Sequence, residues 1–272
     1  MTTIRAGGRV LDRTERHLSV FYNHICAGDI WVYVCAAAFI YLLMNITPFG
    51  LVLREDAYNF AIKGMEIANG DLSLDRPQAI GWPLLLGLVY SVMSVDDIFE
   101  AMYIARWTSI VCMALCVVAL GKACREIWPG TRYKALTIAI VLAFGSAPLI
   151  FSAARSAMSE ALFLLSVLGV VYFTARATAR DKPDLRYLAV AAALTAVSYY
   201  VRPNGLFIFA ALLITLVLHS WGSRKSLTLS LSVSILAFVL IVLPYLYARH
   251  AAFGSPFDYG PNSKYFVDHY EQ

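Results

Sequence analysis

The chain has 272 residues, of which 60% are hydrophobic and only 15% charged, with a mean hydropathy of +0.65. That is more apolar surface than a soluble domain could hide, and it falls in long blocks, which excludes a water-soluble fold and points to a polytopic membrane protein. The net charge of +4 is modest and split by location, so it speaks of topology and not of nucleic acid.

Residues 1–27 read as a basic tail carrying Arg5, Arg9, Arg13 and Arg16, amphipathic from His17 to Ile25 where it meets the membrane. Mostly polar residues precede the first apolar block, so that block is expected to stay as an anchor and not to be cleaved as a signal peptide. Seven blocks are apolar and of crossing length or close to it, at about 30–53, 97–120, 135–153, 159–176, 186–201, 204–221 and 227–248. Residues 28–250 therefore form the membrane module, and 251–272 an outer segment rich in Gly, Pro and aromatics.

With the N-terminus inside, the loops at 121–134, 177–185 and 222–226 are cytoplasmic, and 14 of the 22 basic residues fall inside, which supports this orientation. The expected location is thus a multi-pass plasma membrane protein with its C-terminus outside. Acidic residues lean to the outer face, among them Glu55, Asp56, Asp71, Asp96, Asp97 and Glu160. Since carboxylates have little say in topology, a polar site on that face is the better explanation.

The first outer loop, 54–96, is the longest polar stretch between apolar blocks, and loops of that length are more often functional than mere connectors. Within it, Asp56 to Asn69 is expected to form a short helix with Ala57, Phe60, Ala61, Met65 and Ala68 on one side, ended by Asn69-Gly70. Ala79 to Met93 is apolar but too short to span at about 1.5 Å per residue, so it is expected as a second outer-face interfacial helix. Tyr199 to Gly205 breaks an apolar stretch with Pro203 and Gly205, leaving Arg202 at the break. The aromatics Trp82, Tyr90, Trp107, Tyr199, Tyr200, Tyr245 and Tyr247, with Tyr33 and Tyr41, read as an interfacial belt. Cys112 and Cys116 read as small packing residues, no zinc or disulfide spacing being present, and His250 and His269 as lone histidines that ligate no metal.

On this topology Glu55, Asp56 and Arg76 from the first outer loop, Arg155 and Glu160 from the second, Arg202 from the third and Arg249 beyond the last span meet at one membrane face. Arginine forks suit the oxygens of a lipid phosphate, and a carboxylate within reach of a hydroxyl can take its proton as it attacks. Each residue also has a plainer use. Glu55 and Asp56 suit a helix start, Arg76 an interfacial anchor, Glu160 a helix cap, and Arg202 a hairpin closure, while Arg106 suits an ion pair with Glu100 or Glu160.

Asp56-Ala57-Tyr58 with the helix that follows, Arg76 to Leu86, Ala105-Arg106, Pro148 before Ser159-Glu160, and Val201 to Gly205 occur in an order that resembles the GT-C glycosyltransferases of the protein-mannosyltransferase and aminoarabinose-transferase type. The resemblance implies an all-α integral membrane enzyme that takes a sugar from a polyprenyl-phosphate donor at the outer face and inverts the anomeric centre. It places Asp56 at the family's catalytic acid position, Arg76 near its phosphate contact, and Glu160 and Arg202 at recurrent polar positions. Some relatives use a divalent metal and others do not; were one used here, Asp56 and Glu160 are its expected ligands. No other cofactor is expected, and the acceptor is a glycan, lipid or protein. Two departures leave alternatives open. Ala57 follows Asp56 where many members have a second acid, so either Glu55 or Asp56 is the base; and the chain is shorter than most members, which also fits a non-catalytic membrane subunit or a lipid or sugar transporter.

Overall fold

In the computed structural model, the described residues are 38, 55–74, 78–128, 139–144, 147, 150, 153–154, 157–179 and 182–257. They form seven helices with defined ends: α1 (Glu55–Ala68), α2 (Gly81–Met93), α3 (Ile98–Ile127), α4 (Glu160–Thr178), α5 (Leu185–Val201), α6 (Gly205–His219) and α7 (Arg224–Phe253). All of the first expected span but residue 38, the 258–272 segment and most of the third span lie outside the described residues.

The two outer-loop helices form where the sequence places them. Ala57 and Ala61 of α1 are fully buried, with Phe60, Met65 and Ala68 packed beside them, so the predicted apolar side is the buried one. Gly70, at φ +90°, ends the helix: its amide bonds the Ile67 carbonyl while that of Asp71 bonds the Glu66 carbonyl, a closure that needs a left-handed residue. Helix α2 carries Pro83 in its first turn, where no amide donor is missed, and at 13 residues it reaches only about 20 Å.

Helices α3, α4 and α7 are long and apolar enough to cross a membrane, whereas α5 and α6 have 17 and 15 residues. The described residues are thus all-α, as a membrane protein of this composition requires, and three of their helices have full crossing length. Large apolar side chains stay exposed on α6 and α7, including Phe207, Ile214, Leu218, Leu236, Leu240 and Leu243, as a lipid-facing surface requires.

Two helix ends correct the sequence reading. Helix α3 runs seven residues past the expected end at 120, and α7 extends to Phe253, so Arg249 is a buried helical residue and not part of an outer segment. Its guanidinium lies 5.7 Å from the Tyr245 ring centre and 5.1 Å from that of Phe253. The aromatic belt is also corrected at four positions: Trp82, Tyr90, Tyr199 and Tyr245 are buried in the protein, while Tyr247 is exposed. Cys112 and Cys116 are buried packing residues, as expected.

The side-chain pairings fix helix direction. Cys116 Sγ donates to the Ala161 carbonyl at 3.7 Å and Arg176 pairs with Glu126 at 3.5 Å, so α3 and α4 run the same way. The Asp184 amide bonds the Ala177 carbonyl and Arg202 bonds Glu160, so α5 runs back. Small residues are buried on both helices, Ser166 and Ala177 on α4 and Ala191, Ala192 and Ala196 on α5, and a Cβ on Gly169 would come within 2.8 Å of the Leu194 side chain, so α4 and α5 approach closely there. Helix α7 then lies beside α5, with Tyr199 against Phe238 and Tyr245, and with the Tyr200 hydroxyl on the Ile241 carbonyl at 2.8 Å, in the turn that Pro244 interrupts. One end of the bundle consequently holds the start of α4, the end of α5 and the start of α6. The other carries Lys122, Arg125, Arg176, Lys182, Arg186, Arg224 and Lys225.

Candidate functional site

The site begins with a proline. Pro203 forces the residue before it out of the helical region, so Arg202 is extended at φ −154° and ψ 137° and its side chain leaves the end of α5. The turn is closed by the Gly205 amide on the Arg202 carbonyl, and α6 starts at once. On α4, Ala157 precedes the helix at φ +54°, a left-handed conformation that costs a non-glycine residue about 1 kcal/mol or more. That conformation accompanies a bond across the bundle end: the Ala157 carbonyl accepts from Trp82 Nε1 at 3.0 Å, and Trp82 is fully buried.

Next to this bond lie Ser159 and Glu160. Ser159 makes no capping bond to its own helix; its hydroxyl accepts from Arg202 Nε at 3.2 Å. Arg202 Nη2 donates to Glu160 Oε1 at 2.5 Å. Both side chains are about one third exposed, 36% for Arg202 and 35% for Glu160. Glu160 Oε2 is buried and lacks a hydrogen-bond partner among the described residues. Three of the five guanidinium N–H groups take part in neither of these bonds, so the pair has a spare acceptor and spare donors side by side.

Helix α2 is seated against the same end. A Cβ on Gly81 would come within 2.7 Å of the Tyr200 carbonyl carbon and the Val201 amide nitrogen, so only glycine lets the start of α2 lie on the end of α5. At its far end the Tyr90 hydroxyl donates to the Ala101 carbonyl at 2.7 Å, tying α2 to α3.

The predicted residues divide three ways. Glu160 and Arg202 are brought together. Asp56 sits at the start of α1 with its side chain exposed, and Glu55 is the first residue of that helix. Arg76 and Arg155 lie outside the described residues, five positions before Gly81 and Glu160 respectively. Sequence reasoning did not single out Trp82 or Ala157 as partners. It read Trp82 as an interfacial aromatic, and nothing in the order of residues marks a carbonyl that is turned inward.

Among the described residues no group of three His, Cys, Asp or Glu is placed together around a common point.

No curated protein and no solved structure matches the chain. The model of one family, described as dolichyl-phosphate-mannose-protein mannosyltransferase, matches residues 77–247, more than half of the chain and all the helices from α2 to most of α7.

Proposed function

Because the chain belongs to the dolichyl-phosphate-mannose-protein mannosyltransferase family, membrane glycosyltransferases of the GT-C type, we propose that it moves a sugar from a polyprenyl-phosphate donor to a hydroxyl acceptor. The acceptor oxygen attacks the anomeric carbon as the bond from that carbon to the phosphate oxygen breaks, which inverts the centre in one displacement. The electron pair of the broken bond leaves on the phosphate, and the hydroxyl proton passes to a carboxylate.

The observation that carries this reading is the Arg202–Glu160 pair, with unspent donors beside an unspent acceptor. Arg202 is held by Ser159 and Glu160 in a fixed pose, so its remaining N–H groups meet a phosphate oxygen without first losing side-chain freedom. Asp56, or Glu55 beside it, is the proton acceptor, and Arg76 and Arg155 add charge against the phosphate. The positive charge gathered at the far end of the bundle supports a cytoplasmic position for that end and hence an outer-face position for the site.

The test is sugar transfer in membranes expressing the chain, offered a panel of labelled polyprenyl-phosphate sugars, with Asp56→Asn and Glu55→Gln beside the unaltered protein and folding checked for each. Loss of transfer in Asp56→Asn alone identifies the base. If the unaltered chain transfers nothing from any donor and no partner restores activity, the enzyme reading fails and a subunit or transporter role replaces it.

A further inference from the structure

Helix α7 carries Pro244 in its interior, and the weakness this makes is met by a side chain of another helix. Proline has no N–H for the carbonyl four residues back, that of Leu240, and its ring crowds that carbonyl, so a helix bends there. Beyond the break lie Tyr245, Arg249 and Phe253, with the Arg249 guanidinium beside both rings. A segment joined to the rest of its helix through such a turn is free to swing unless something holds both sides.

Two tyrosines at the end of α5 do so. The Tyr200 hydroxyl donates to the Ile241 carbonyl at 2.8 Å, before Pro244, and the Tyr200 ring stacks on that of Tyr245, after it, with centres 4.4 Å and planes 22° apart. Tyr199 spans the same break with its ring alone, edge to face with Phe238 at 6.4 Å and with Tyr245 at 6.3 Å. Only Tyr200 adds a directed bond to the contact. The start of α2 rests on its backbone, for a Cβ on Gly81 would stand 2.7 Å from the Tyr200 carbonyl carbon. Two residues further on, Arg202 reaches Ser159 and Glu160. The stretch 199–202 therefore grips α7 on one side and the start of α4 on the other.

We propose that Tyr200 is a positioning residue for the transfer reaction: it splints α7 across Pro244, which keeps the end of α5 in place and Arg202 in its pose for the donor phosphate. The inference deepens the proposed function and rests on it. Tyr200 itself touches no substrate. It supplies the fixed base from which Arg202 reaches. Without the splint the part of α7 beyond Pro244 moves, and the end of α5 loses its support on that side. A displacement of about 1 Å at a group that orients a reacting phosphate lowers the rate by up to about 100-fold.

Tyr200→Phe keeps the ring and its stack and removes only the hydroxyl, so it is the variant to test, in the full chain. The first measurement, hydrogen exchange read by mass spectrometry over residues 241–253, needs no transfer. Exchange is expected to be faster in Tyr200→Phe, and to fall back when Pro244→Ala is added, since the Leu240 carbonyl then regains its donor. The second is a double-mutant cycle on kcat/KM for transfer from a polyprenyl-phosphate sugar. Tyr200→Phe alone is expected to lower kcat/KM about 10-fold, and to lower it no further in a chain already carrying Arg202→Gln, because both act through one guanidinium. A packing defect unrelated to Arg202 would lower it equally in both backgrounds. Unchanged exchange in Tyr200→Phe overturns the splint. Transfer by the unaltered chain, with no loss in Tyr200→Phe or with equal loss in both backgrounds, overturns the positioning role and leaves the proposed function standing. A chain that transfers nothing from any donor overturns both, and the exchange measurement still decides the splint.

Discussion

Replacing Arg202 by Gln removes a charge that the structure has fixed in two ways, by Ser159 at 3.2 Å and by Glu160 at 2.5 Å. The cost to stability is limited, because the pair is only partly shielded from solvent and such pairs contribute about 1 kcal/mol or less. On a chain of this size that is a fall of roughly 2–4 °C in the unfolding midpoint. The cost to transfer is larger. A hydrogen bond between a guanidinium and a phosphate is worth about 1.5–3 kcal/mol, which at about 1.4 kcal/mol per decade lowers kcat/KM by about 10- to 150-fold. Arg202→Lys separates the two contributions: an ammonium has the charge but not the fork, so it reaches Glu160 or a phosphate but not both, and it is expected to recover thermal stability without recovering the rate. The assay is transfer from a polyprenyl-phosphate sugar in reconstituted vesicles, with the unfolding midpoint measured on the same preparations. Arg202→Gln with an unchanged kcat/KM and a lowered midpoint would refute the reasoning, and would leave the pair a purely structural one.

Three further outcomes follow from the packing. Trp82→Phe keeps the buried ring but leaves the Ala157 carbonyl without its donor, so stability measured by thermal unfolding should fall by about 1–3 kcal/mol; a change under a few tenths would show that the bond contributes nothing. Gly81→Ala places a methyl group against the Tyr200–Val201 backbone, which cannot yield as a side chain could, so it should cost more stability than Gly222→Ala, where a Cβ meets nothing within 4 Å, and should lower transfer through displacement of Arg202. Asp71 accepts from the Ser73 amide at 2.8 Å, and this bond, helped by the Ser73 hydroxyl, holds its carboxyl below the ordinary aspartate value. A lowered value means that the stabilisation is present above the unfolded value, about 3.9, and is lost as pH falls through the folded one. The midpoint of Asp71→Asn should therefore trail that of the unaltered chain at neutral pH and converge with it in acid; parallel pH profiles would remove the carboxylate from the account.

What could be read from the sequence was whatever depends on local pattern. The short helix from Asp56 with its alanine side, the glycine that ends it, the apolar helix too short to cross, and the break at Pro203 all follow from residue spacing and backbone preference, and all are present. Arg202 and Glu160 were legible as members of one face because the alternation of crossings sends both loops the same way. What was not legible depends on contacts between distant segments. Apolar length does not say that α3 continues to Ile127, because Lys122 and Arg125 look like loop residues until a helix carries them out of the membrane. Nor does a tryptophan in an outer loop announce whether it faces headgroups or a carbonyl 75 positions away. Arg249 illustrates the same limit: a charged residue after an apolar block reads as the end of a span, yet here the helix continues and its aromatic neighbours cover the guanidinium.

Helix α2 is held at both ends by hydrogen bonds from its own aromatic side chains, Trp82 to the Ala157 carbonyl before α4 and Tyr90 to the Ala101 carbonyl in α3. Mechanically it is a tie rod between two crossings. Bonds at both ends oppose an independent swing of α2, so a tilt of α3 relative to α4 is carried to Gly81, where the start of α2 rests on the backbone that leads into Arg202.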